Sequence, residues 1–284
     1  MKALTGEAVQ LYEAKFGFNQ NTHRIAVGEP LGQFYGYITE GLYQVDDFNY
    51  DASTQTYTLK DGVSYHGDKG QIRPGMWKFK NLTGDDNVID ENDKTVIGNA
   101  QPKFYGGLNN SFTYKGFDLS IFLTFSYGNE VLNATKLVTS KVGSLNYNAL
   151  DVMNSSNRWM TINSDGQKVT DPGELAALNA GKTVAAYHDA QQGDNYIHSW
   201  AVEDASYLKL SNVTLGYTFP KNLIARVGLK NLRLYATGNN LLTWTKYSGF
   251  DPEVSTMKSG LTPGVDFGAY PLSRSFIFGL NVAF

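Results

Sequence analysis

The stretch "NLTGDDNVIDENDK" (81–94) crowds side-chain oxygens at short spacing, sets a hydrophobic residue after the turn and follows it with a carboxylate four positions later. Oxygen donors in that pattern suit a hard cation such as Ca²⁺, and the ligands it predicts are Asp85, Asp90 and Asp93. An Asx-rich turn that orders a surface loop would use the same residues without a metal. Other chemistry has less to stand on. His23, His66, His188 and His198 are scattered, with no i,i+4 pair and no ligand cluster, which predicts exposed loop positions. The sequence carries no Ser-His-Asp grouping, no phosphate-cradling glycine loop and no zinc signature. With zero Cys, thiolate catalysis, disulfides and sulfur-ligated metals are excluded together. The expectation is a non-enzymatic protein with no cofactor beyond that one candidate Ca²⁺.

Recognition is better represented than catalysis. Tyr43, Trp159, Tyr187, Trp200, Tyr247 and Phe250 lie near strand ends or in long polar segments, where exposed rings can stack on sugars or peptides or anchor a protein partner. Packing within the loops is the competing account. Trp244 and Tyr114, at strand ends, read as anchors at a membrane interface.

The elements that position these residues are strands. Tyr and Phe number 18 and 16 and Gly 29 in a chain of 284 residues, a palette of pleated strands and tight turns. Six strand-like blocks are legible: 32–44, 103–114, 117–128, 206–219, 231–245 and the terminal "SFIFGLNVAF" (275–284). In the third, Phe117, Leu119, Ile121, Leu123, Phe125 and Tyr127 share one face, while Asp118, Ser120, Thr124 and Ser126 share the other with Phe122. In the last, Phe276, Phe278, Leu280, Val282 and Phe284 alternate down to the carboxyl end. Leu208 and Leu210 have the opposite parity to Val213 and Leu215, which predicts a bulge near Ser211-Asn212. Lys115-Gly116 predicts a minimal hairpin turn, and "PGELAALNAG" (172–181) a short helix.

After residue 102 the connections run short, very long, short, long, so every long one falls at the same end of the strands. That asymmetry belongs to transmembrane barrels with short periplasmic turns and long extracellular loops. Mean hydropathy is −0.32, and the sequence has no run of about 20 apolar residues for a helical span. Alternating transmembrane strands read as mildly polar and are compatible with both facts. Lys and Arg total 24 against 27 Asp and Glu, without a basic cluster, which excludes nucleic acid as a partner. The start, "MKALTGEAVQLYEAKF", has no apolar h-region, so no secretion signal is read there. A secreted or periplasmic carbohydrate-binding β-sandwich would also use this palette, but gives no reason for the one-sided loops.

Successive blocks resemble a known family: "GQFYGYITEGLYQ", "DENDKTVIGNAQPKFYGGLNNSFTYKGFDLSIFLTFSYGNEVLNATK", "NRWM", "WAVEDASYLKLSNVTLGYTFPKNL", "LRLYATGNNLLTWTKYSGFDPEV" and "GLTPGVDFGAYPLSRSFIFGLNVAF". In this order they are similar to the C-terminal part of the SusC/RagA family of TonB-dependent outer-membrane transporters of Bacteroidetes. The resemblance implies the C-terminal portion of an antiparallel up-and-down transmembrane β-barrel of about 22 strands, sited in the outer membrane and importing oligosaccharides or peptides. It implies a SusD-like surface lipoprotein as lid, a role for the ring residues named above in meeting substrate or lid, and lipid around the apolar face. It implies that the TonB box and plug domain, through which the TonB complex acts, lie outside residues 1–284. The terminal row Phe276, Phe278, Leu280, Val282 and Phe284 resembles the signal read by the barrel-assembly machinery. Family members carry a cleaner D-x-N-G-D-G-x-I-D-x-x-D run. Here Asn81 replaces the leading acid, Asp86 sits where Gly would ease the turn, and Asn87 is an extra residue.

Overall fold

A computed structural model describes residues 9–12, 20–84, 86–140, 149–186, 196–256 and 259–284. The chain divides into two compact units, each interrupted in sequence by the other.

The first unit, Gln101–Val131, Glu203–Val254 and Ala269–Phe284, is a single sheet. Its strands are β1 (Phe104–Tyr114), β2 (Phe117–Tyr127), β3 (Tyr207–Thr218), β4 (Asn231–Thr245) and β5 (Ser275–Ala283). Each pairs antiparallel with the next in the chain, an up-and-down meander. Lys115 and Gly116 close the first hairpin with φ of 45° and 87°. Two successive left-handed residues match the twist of adjoining strands, and the glycine adopts that conformation without a Cβ clash.

Register makes the two faces of the sheet chemically distinct. Leu119 opposes Leu215, Leu215 opposes Ala236, and Ala236 opposes Phe278. One residue along, Ser120 opposes Thr214 and Thr214 opposes Thr237. The parity slip in β3 is a bulge: Phe122 opposes Asn212 but Leu123 opposes Leu210, leaving Ser211 as the extra residue. On the other side Leu210 opposes Leu242 while Asn212 opposes Asn239, so β4 absorbs the slip at Asn240, φ 52°, and Leu241. The paired irregularities return Leu208 and Leu210 to the apolar face.

The second unit, Met1–Ala100, Leu132–Val202 and Ser255–Gly268, is built from short pieces. His23–Ala26, Gln33–Gly36 and Thr95–Asn99 pair in one small sheet, Thr39–Leu42 pairs with Trp77–Phe79, and Phe48–Asp51 with Thr56–Leu59. The block 32–44, expected as a barrel strand, is a correction: it splits into two strands of this unit. Both faces of Gln33–Gly36 are largely buried, and Gly41, φ 100°, sits at a register shift, so no eleven-residue amphipathic strand forms. The expected helix near residue 172 runs Pro172–Leu178, with Asp171 Oδ1 accepting from Gly173 and Glu174 N–H at 2.9 and 3.0 Å. Its cores are aromatic: Trp77, Phe79, Trp159 and Tyr37 in one cluster, and Tyr43, Phe48, Leu59, Ile72 and Met76 in another.

Candidate functional site

The apolar face of the sheet lies uncovered. Phe276, Phe278, Leu280 and Val282 are 67, 81, 58 and 38% exposed, and Phe112, Leu108, Leu215 and Leu234 are open on the same face. The described residues place no second sheet over them. A water-soluble sandwich buries such a face at about 25 cal/mol per Å². An apolar surface continuous over five strands calls for a non-aqueous surround. The carbohydrate-binding sandwich is thereby set aside. No helix among the described residues is long and apolar enough to cross a membrane, whereas strands of 9 to 15 residues meet the length a tilted strand needs to span hydrocarbon.

The opposite face carries a polar ladder. Arg233 reaches Asp118 through Nε at 3.0 Å and Nη2 at 2.5 Å. This bidentate pair arches over Gly216, where a Cβ would lie 2.5 Å from both the guanidinium and the carboxylate. Further along, Ser120 donates to Asn109 at 3.2 Å, Thr214 and Thr237 hydroxyls are 2.8 Å apart, and Asn212 donates to Asn239 at 2.7 Å. At the long-loop end Glu253 accepts from both Lys209 and Tyr207. These groups suit a wet interior and hold the pleat by cross-strand bonds.

In the second unit the acidic stretch organises itself. Asp93 Oδ1 accepts from Leu82 and Thr83 N–H at 2.6 and 3.0 Å and from the Thr83 hydroxyl, and Oδ2 accepts from Asp90 N–H at 2.8 Å. Burial alone would raise its pKa, but these bonds outweigh it and hold the carboxyl below the usual range. Three donors converge on Oδ1 and one on Oδ2, so the carboxylate orders this turn from within. Asp90 caps the same turn through Asn92. Asp85 lies outside the described residues, among which no metal-holding cluster of acids and histidines occurs.

Burial also reassigns several rings and histidines. Tyr43 and Trp159 are 0 and 1% exposed and Tyr247 is 5%, so these three serve packing within the chain. Tyr43 donates its hydroxyl to the Ser64 carbonyl at 2.7 Å, and burial raises its pKa. Trp200 is half-buried against Trp77, ring centroids 4.9 Å apart, under the Lys136 ammonium. Phe250 stands free at 82% exposure, while Tyr187 and His188 lie outside the described residues. His23, His66 and His198 are 0, 3 and 1% exposed, a correction to their expected place on the surface. His23 donates Nε2–H to the Pro263 carbonyl at 2.9 Å. His66 sits between Phe79, Tyr43 and Tyr196, and neither ring nitrogen has a hydrogen-bond partner. Desolvation pulls both imidazoles down to about 4. Isolated histidines were read as solvated because their spacing lacked a partner; an aromatic enclosure leaves no linear signal.

An antiparallel meander with one lipid-compatible face and one hydrated face is a section of transmembrane β-barrel wall. No protein-family model matches the chain. TonB-dependent receptor P3 of Formosa agariphila is 33% identical over 270 residues, 93% of this chain and 23% of the relative. TonB-dependent receptor SusC of Bacteroides thetaiotaomicron is 29% identical over 226 residues, 77% of this chain and 18% of the relative. A solved structure of the RagAB peptide transporter matches with a TM-score of 0.63 at 21% identity, over 99% of this chain and 25% of that one. The chain belongs to the SusC/RagA-like TonB-dependent receptors and spans about a quarter or less of the length of these relatives. They are named as receptors and transporters, not as enzymes.

Proposed function

We propose that these residues form a C-terminal wall section, with extracellular loops, of an outer-membrane TonB-dependent importer of oligosaccharides or peptides. The observation that carries this reading is the apolar face on which Leu108, Phe112, Leu215, Leu234 and Phe278 stand exposed, backed by a polar ladder that would line a hydrated lumen. In this reading β1 and β5 pair with further strands of the same barrel, because open backbone edges are not tolerated in hydrocarbon. A SusD-like lipoprotein closes over the long loops, where Phe250 has an exposed ring to offer. Plug gating and TonB coupling belong to parts of the transporter outside these residues. The row ending at Phe284 serves as the recognition signal for barrel assembly.

Topology gives a direct test. An epitope in the Lys115-Gly116 turn should be hidden from antibody on intact cells, and one beside Ser164-Asp165, in the connection between β2 and β3, should be accessible. The reverse pattern, or access to both, would sink the importer reading.

A further inference from the structure

The short-turn end of the meander gathers its connections along one rim. Thr218 N–H donates to the Gly116 carbonyl at 2.7 Å, Phe219 N–H to Leu232 at 2.9 Å and Lys230 N–H to Ala283 at 2.7 Å, which ties the Lys115-Gly116 hairpin, the connection 219–230 and the end of β5 together. On the apolar face this rim is aromatic. Tyr114 opposes Phe117 and Phe117 opposes Tyr217, with the Phe117 and Tyr217 rings 4.6 Å apart and Phe219 edge-on to Tyr217 at 5.0 Å. Beyond the rings the charge is of one sign. Asp118 is the single acidic side chain in residues 111–119, 216–235 and 276–284, and Arg233 answers it. Lys115, Lys221, Arg226 and Lys230 remain in excess, all of them exposed, with Lys115 Nζ 5.2 Å from the centroid of the Tyr114 ring. Even with a carboxylate at Phe284 counted, cations prevail. At the opposite rim, by contrast, Lys246 shares its cleft with Asp204.

The connection 219–230 has a fixed shape. The Pro220 carbonyl accepts from Leu223 N–H at 3.0 Å, Leu229 N–H donates to the Ile224 carbonyl at 3.2 Å, and Gly228, φ 77°, ends the helical turn. Ile224 is buried, whereas Leu223 and Val227 stand 55 and 71% exposed among Lys221 and Arg226. β3 and β4 each have both neighbours within the sheet, so no further strand of a barrel can pair alongside this connection. Open apolar side chains among cations, next to an aromatic band and an uncovered apolar face, are the features of an element that lies in a bilayer interface.

We propose that this rim docks anionic phospholipid of the periplasmic leaflet: Leu223 and Val227 enter the acyl-chain boundary beside Tyr114, Phe117 and Tyr217, and Lys115, Lys221, Arg226 and Lys230 meet the lipid phosphates. Charge complementarity selects the headgroup. A lipid with a net negative charge, such as phosphatidylglycerol, is drawn to the cluster, and a zwitterionic one much less. The choice of leaflet rests on the importer reading.

The test uses the intact outer-membrane protein containing these residues, purified in detergent, with bound lipid counted by native mass spectrometry at low salt. Dioleoylphosphatidylglycerol should be retained about tenfold or more over dioleoylphosphatidylcholine, and the ratio should fall as salt is raised. Changing Lys221→Gln, Arg226→Gln and Lys230→Gln together should bring the ratio close to one, and Lys221→Gln alone, read if the triple variant assembles poorly, should lower it about two- to fivefold. The charge-keeping set Lys221→Arg, Arg226→Lys and Lys230→Arg should preserve it, Leu223→Ser with Val227→Ser should weaken both lipids alike, and Lys246→Gln at the opposite rim should leave it unchanged. Equal retention of the two lipids, or a preference that survives the glutamine changes, overturns the docking and points to another part of the transporter as what these cations meet. Displacement of bound lipid by an equal concentration of glycerol 3-phosphate marks a free-phosphate site and overturns the lipid assignment. Loss of the preference with the topology described above overturns this rim alone, whereas a reversed topology overturns the importer and with it the leaflet assigned here.

Discussion

The two units of this chain solve the hydrophobic problem in opposite ways. The meander displays its apolar side chains, with Phe278 at 81% exposure, and keeps its polar groups bonded to one another on the other face. The loop-derived unit does what an aqueous domain does: it hides Trp159, Phe79, Tyr43 and even His66, and presents charges outward. Sheet stability should therefore depend on lipid contact, and loop-unit stability on close packing and neutral imidazoles.

The largest separation of the two should come from acid. Folding keeps His23 and His66 neutral, so the unfolded state takes up protons first as pH drops below 6.5, and stability is lost from there down to about 4, below which the loss is complete. A shift of that size is worth about 3 kcal/mol for each imidazole. Hydrogen exchange followed by mass spectrometry at pH 4.5 should show loop-unit peptides losing protection while β2 and β3 peptides keep theirs. His66→Phe, which fits the aromatic enclosure, should flatten the pH dependence. Equal loss in both units would dissolve the distinction drawn here.

Truncation of the loop core comes next. Trp159→Ala should destabilise the second unit by about 3–5 kcal/mol, read as protease sensitivity in 149–186 with the barrel still heat-modifiable on gels. A charge on the sheet should depend on its face. Leu215→Arg is expected to cost about 2–4 kcal/mol near the bilayer midplane, and Thr214→Arg, one residue away and lumen-facing, much less. The yield of assembled protein in outer-membrane fractions measures both; similar yields would contradict the two-faced sheet. The smallest effect is Asp118→Asn. The pair with Arg233 is a quarter to a third exposed, so the change should lower the urea midpoint by the equivalent of about 0.5–1 kcal/mol.

Much of the sheet was legible because strands facing two solvents must alternate, and alternation survives in linear order. The β2 pattern, the β5 row, the Lys115-Gly116 turn and the slip at Ser211 all follow from period two and its single interruption. The 32–44 block shows where that reasoning fails: its apolar residues resemble a strand, but burial on both faces of Gln33–Gly36 and the irregularity at Gly41 divide it between two small sheets. Site residues were less legible than fold. Tyr43 and Phe250 are both loop aromatics by sequence, and nothing local states that one packs inside while the other stands in solvent.

Composition and alternation alone determined that this protein is made of strands with one continuous apolar face and with long connections at one end, because side-chain direction in a strand is a local property. Only tertiary structure decided that the acidic stretch turns its carboxylates onto its own N–H groups, and that three histidines are interior. Those outcomes depend on which distant segments pack together, and burial, unlike pleat, has no period to read.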